Sequence, residues 1–84
     1  MTNKEILKKQ IIYRSRHRGT KEMDILLGKF VEKNIAKLDE EDLIKLNEIM
    51  SLDDELLHQW YFNNIDNNKI FNNKISQKLK KFIL

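Results

Sequence analysis

The stretch Tyr13-Arg14-Ser15-Arg16-His17-Arg18-Gly19-Thr20-Lys21-Glu22-Met23-Asp24 lies where one helical pattern stops and a second begins. Ahead of it, Ile6, Leu7, Gln10, Ile11 and Arg14 recur near helical spacing and predict a short amphipathic helix over about 4–15. Behind it, Met23, Leu26, Leu27, Phe30, Val31 and Ile35 predict an inward stripe on a second helix running to about 36. Thr20 is the expected N-cap of that helix, with Glu22 and Asp24 near its first turn, where the helix dipole favours negative charge. Gly28 in its interior costs about 0.5–1 kcal/mol relative to Ala, and close approach of a neighbouring helix is the expected compensation.

Three more helices follow. Asp39-Glu40-Glu41-Asp42 is a start signal, with an N-cap and then acids in the first turn. Asp42 there imitates a capping box. This third helix turns Leu43, Leu46, Ile49 and Met50 inward. Asp53 is expected to cap a fourth helix that turns in Leu56, Leu57, Trp60 and Tyr61. Asn63-Asn64 and Asn67-Asn68 mark a loop, since Asn tolerates left-handed backbone. A last helix is expected over about 69–83, with Phe71, Ile75, Leu79, Phe82 and Ile83 on one stripe and Lys69, Lys74, Lys78 and Lys80 opposite. No alternating strand pattern and no repeat appear. The expectation is all-α: one domain over residues 1–84, a small bundle of five short helices ending in a basic one.

The totals exclude several functions. Eighty-four residues leave no room for a catalytic domain plus a cofactor domain. The absence of Cys removes disulfides and thiolate zinc sites. No apolar run approaches the roughly 20 residues of a membrane span, and the N-terminal residues match neither a secretory nor a transit pattern. A cytoplasmic protein without membrane insertion is therefore expected. Net charge is +3, but it is distributed as +6 over residues 1–37, −8 over 38–66 and +5 over 67–84. A chain of this polarity can neutralise itself by packing its middle against its ends, which weakens a nucleic-acid reading drawn from charge alone.

The arginines are more informative. Only three of the sixteen basic residues are Arg, and all three fall between positions 14 and 18. Arg presents a planar fork of donors and is not equivalent to Lys. Arg14, Arg16 and Arg18 also precede the start of the second helix, where the dipole disfavours cations. A local cost without a local gain suggests that a partner supplies the compensating groups.

Arg18-Gly19-Thr20-Lys21-Glu22 fits an RGxxE signature and resembles that of the small assembly factors that help attach FAD to the succinate dehydrogenase flavoprotein. The surroundings are similar to that family too. Tyr13 and Arg16 precede the signature, Asp24-Ile25-Leu26-Leu27 follows it, and Asp53-Asp54-Glu55-Leu56 leads to Trp60 as an acidic turn before a Trp-bearing helix. The likeness spans about residues 11–62. It implies a non-enzymatic assembly factor that binds the flavoprotein subunit and promotes covalent attachment of FAD to a His of that subunit. Whether the fumarate reductase flavoprotein is a second client is left open. The resemblance implies that Arg18, Gly19 and Glu22 meet the partner, with Tyr13, Arg16 and Asp24 as their neighbours.

The residues themselves temper several other readings. Glu22 is also what a helix start alone would favour. Gly19-Thr20 is no dinucleotide loop, which needs several glycines after a strand, so no cofactor is expected to bind stably and the FAD belongs to the partner. His17 and His58 are too far apart for a metal pair, and Asp54 and His58, four apart, are expected as a surface pair. No nucleophile, base and orienter occur together, so no catalytic residues are assigned. Trp60 is expected to be structural first. The alternative function is a small basic nucleic-acid-binding module using the lysine face of the last helix. That face lacks interleaved aromatics for stacking, so the expectation is a solvated basic face on an amphipathic helix and no nucleic-acid partner.

Overall fold

The structure, a computed structural model, describes residues 2–70 and 72–82. Those residues form five helices and no strand: α1 (Asn3–Arg16), α2 (Lys21–Asn34), α3 (Glu40–Met50), α4 (Asp54–Phe62) and α5 (Lys74–Lys81), with a 3-10 turn at Ile35–Lys37 after α2. α1 packs on both α2 and α3, and α3 also meets α5. Gln10 and Arg14 of α1 both hydrogen-bond Asn47 of α3, and Arg18 just beyond α1 reaches Met50 and Leu52 at the end of α3. The two helices therefore run in the same sense and finish at the same end of the molecule.

The caps explain the boundaries. Thr20 accepts from the Met23 N–H at 3.3 Å, as its position predicts. Asp39 accepts from the Asp42 N–H at 2.8 Å, and that bond, first among its surroundings, holds the exposed Asp39 carboxyl below its ordinary pKa. The expected stripes of α2, α3 and α4 are buried at Met23, Leu26, Leu27, Phe30, Val31, Leu43, Leu46, Ile49, Met50, Leu57 and Trp60, while Ile35, Leu56 and Tyr61 pack against them half-buried.

Several expectations are corrected. Ile6, expected on the α1 stripe, is 41% exposed, whereas Ser15, one turn beyond the buried Ile11, is buried and bonds back to the Ile12 carbonyl. α5 begins at Lys74 rather than near 69 because Asn73 and Ser76 close a full capping box, each side chain meeting the other's backbone N–H. Lys69 is consequently outside the helix. Lys80 is not on a solvated face either: its ammonium bonds the Trp60 and Tyr61 carbonyls at the end of α4 and lies 4.8 Å from the Trp60 ring centre. Ile75, Leu79 and Phe82 pack inward as expected, whereas Phe71 and Ile83 of that stripe lie outside the described residues. Asp53 occupies the N-cap of α4, but its side chain makes no capping bond. The Asn loop does contain left-handed backbone, at Asn64 with φ of 56°.

Among the described residues, no helix approaches Gly28. A Cβ built there meets nothing within 4 Å, and its φ is not positive. Its helix-interior cost is therefore uncompensated. Gly28→Ala is expected to stabilise the protein by about 0.5–1 kcal/mol, read as a rise in thermal midpoint of several degrees. An unchanged or lowered midpoint would show that the position serves packing after all.

Candidate functional site

The motif occupies the connection His17–Thr20 between α1 and α2, at the end of the molecule where α3 stops and α4 starts. Arg18 turns inward there. Its Nε donates to Asp54 Oδ1 at 2.6 Å, Nη1 to the Met50 carbonyl at 2.6 Å and more distantly to the Arg14 carbonyl, and Nη2 to the Leu52 carbonyl at 2.7 Å. The side chain is only 7% exposed and that of Asp54 only 14%, so this is an enclosed ion pair rather than a surface one.

Elementary electrostatics explains the arrangement. Arg14 lies in the last turn of α1 and Met50 is the last residue of α3, so the guanidinium sits against free carbonyls at two helix C-termini, where the dipoles favour a cation. Asp54 is the first residue of α4, where a carboxylate is favoured. Its second oxygen, Oδ2, accepts from the Gly19 N–H and, at 3.2 Å, from the Thr20 N–H leading into α2. The compensation expected from a partner is thus supplied for Arg18 by its own chain. Asp54 is likewise no surface companion of His58, whose ring instead lies 4.7 Å from that of Phe62.

The other candidate residues divide by exposure. Tyr13, Arg16, Gly19 and Glu22 are exposed at this end of the molecule. Tyr13 is 63% exposed and stacks on His17 with ring centres 4.0 Å apart, while His17 Nδ1 lies 2.7 Å from the Tyr13 carbonyl. Asp24 is half-buried, and its Oδ1 is enclosed with no hydrogen-bond partner among the described residues. Glu22, in the first turn of α2, projects its carboxylate where nothing in the chain engages it in a described bond.

Gly19 has a reason inside the fold. Its φ is not positive, so conformational freedom does not require glycine. A Cβ at that position would lie 3.1 Å from Asp54 Oδ2, tighter than ordinary contact. Sequence reasoning missed Asp54 as a member of the site. The acidic turn was visible, but nothing in its spacing says which acid reaches back to Arg18.

This geometry defines a small all-α protein with an exposed, mixed-charge surface organised on an internal arginine anchor, and no described helix is long and apolar enough to cross a membrane. The family follows from the comparisons: residues 9–83 match the family described as flavinator of succinate dehydrogenase, and the chain belongs to it. It is 38% identical over 55 residues to the FAD assembly factor SdhE of Acetobacter pasteurianus, covering 66% of this chain and 50% of that protein. It is 39% identical over 56 residues to the mitochondrial succinate dehydrogenase assembly factor 2 of Dictyostelium discoideum, covering 67% of this chain and 40% of that one. Against the factor of the same name from Saccharomyces cerevisiae, identity is 32% over 87 aligned positions, covering 96% and 54%. The chain thus spans roughly half the length of these relatives. No solved structure gives a significant match.

Arg18→Lys tests the anchor. Lysine keeps the charge but cannot hold Asp54 and the two α3-end carbonyls together in a planar fork. With hydrogen bonds to charged groups worth about 1.5–3 kcal/mol each, a loss of about 2 kcal/mol is expected. In a domain of this size that lowers the thermal midpoint by about 10 °C, and a midpoint within 2 °C or so of the parent would contradict the anchor.

Proposed function

We propose that this protein is an assembly factor for the succinate dehydrogenase flavoprotein subunit, which it binds through the exposed end carrying Tyr13, Arg16, Gly19 and Glu22, and whose covalent flavinylation it promotes. Family membership carries the reading, and the free Glu22 carboxylate beside the exposed Gly19 backbone supports the choice of surface. Arg18 enters this surface from within, as the anchor of the connection, and Asp24 borders it.

The chemistry belongs to the flavin and to the flavoprotein. This chain acts without catalysing: binding energy favours the conformation of the subunit in which its His and FAD react, which requires tighter binding to that conformation than to others. FAD is held by the partner. Residence in the cytoplasm is part of the same proposal, and the fumarate reductase flavoprotein stays an open second client. The rival nucleic-acid reading loses ground because the lysine face it needs is partly engaged by the chain itself, with Lys80 on the α4 carbonyls and the exposed Lys74 3.6 Å from the Asp42 carboxylate.

Reconstitution tests the proposal. Apo flavoprotein subunit and FAD are incubated with and without the protein, and covalent flavin is read as fluorescence retained by the denatured subunit. The expected result is a rise that depends on the protein and falls at least about tenfold, or 1.4 kcal/mol in binding, with Glu22→Ala, a variant whose fold should be intact. No protein-dependent rise with a properly folded subunit would sink the reading.

A further inference from the structure

We propose that Asp54 is a positioning residue of the partner-facing motif: from the start of α4 it clamps the Gly19–Thr20 backbone into the shape that the partner meets. The inference rests on the assembly-factor reading above and deepens it at a residue outside the motif.

One carboxylate serves three donors. Oδ1 takes the Arg18 Nε, and Oδ2 takes the Gly19 and Thr20 amides, joining positions 34 to 36 residues apart. Asp54 is itself too enclosed to be gripped by a partner, since its side chain is 14% exposed. Its influence on the exposed surface therefore passes through the backbone it holds. The connection contains a glycine and spans only His17–Thr20 between two helices, so without a clamp its backbone would be free to vary. Ordering such a segment opposes binding, and a segment ordered before the encounter avoids that cost.

Gly19 fits the same account. Any side chain there begins with a Cβ 3.1 Å from Oδ2, so glycine is the residue that lets the carboxylate close on the amide. The motif's Arg and Gly are then two halves of one contact with Asp54, and Glu22 is the member left to face outward. Charge direction agrees, because the carboxylate stands where the starts of both α2 and α4 favour a negative group.

The test is Asp54→Asn in the full chain. A carboxamide has one acceptor oxygen and presents an NH2 group toward the remaining donors, so at least one side of the clamp is lost. Two readouts are taken: dissociation constants for the isolated flavoprotein subunit, and the Gly19 and Thr20 amide resonances of the free protein. The expectation is about tenfold weaker binding together with upfield movement of those two resonances, with α5 resonances unmoved. Asn73→Ala, which removes the N-cap of α5 away from the motif, where Lys74 meets Asp42 near the start of α3, is the control for general destabilisation and should leave the dissociation constant within twofold. Should Asp54→Asn fail to fold, Asp54→Glu keeps the charge while displacing the carboxylate, and is expected to move the same readouts in the same direction. Unmoved amide resonances, or binding within twofold of the parent, overturns the clamp. Failure of the parent protein to bind the subunit would instead overturn the assembly-factor reading, and the amide resonances would still decide whether the clamp exists.

Discussion

The Arg18 guanidinium, enclosed between the ends of α1, α3 and α4, is the interaction on which this end of the molecule depends. Burying it removes it from water at considerable cost, and the fold offsets that cost with a carboxylate and with carbonyls that end helices could not otherwise satisfy. Each partner answers a deficit of the other. The carbonyls at the end of α3 need donors, the guanidinium needs acceptors, and Asp54 joins both to the start of α2. A short connection that would otherwise be loose becomes a fixed joint.

That joint separates two kinds of residue within five positions of sequence. Arg18 and Gly19 are committed to Asp54 by charge and by close contact, whereas Glu22 projects from the first turn of α2. A motif of this kind therefore carries two requirements at once, a local shape and an exposed chemical group. Under the proposed reading, loss of Arg18 and loss of Glu22 harm the same function through different physics. The remaining positive charge is also more structured than its count suggests, because Lys80 finishes α4 and Lys74 meets Asp42.

Much of the fold was legible because the chain lacks proline and carries strong caps. Thr20 and Asp39 start helices where their spacing says they should, and the apolar positions of α2, α3 and α4 are inside. The misreadings are local and physical. The Asn73–Ser76 capping box delayed α5, because a reciprocal pair of side-chain to backbone bonds outweighed the continuing lysine and apolar pattern ahead of it. On the α1 stripe the core takes Ile11 and, half-buried, Leu7 but stops short of Ile6, and among the described residues no neighbour stands close to Gly28. At the site, the sequence located the motif but not the direction of its arginine. A cation ahead of a helix start looks unfavourable along the chain. In space it faces two helix C-termini and a carboxylate 36 residues away, which no local pattern encodes.

The central claim, that Arg18 and Asp54 act as one internal unit, is tested most directly by a double-mutant cycle of unfolding free energies on Arg18→Met and Asp54→Asn. The account predicts strong coupling, about 1–3 kcal/mol, so that the second substitution costs far less once the first is made. Additive losses, with coupling below about 0.5 kcal/mol, would mean that the two side chains stand independently and that the anchor does not exist.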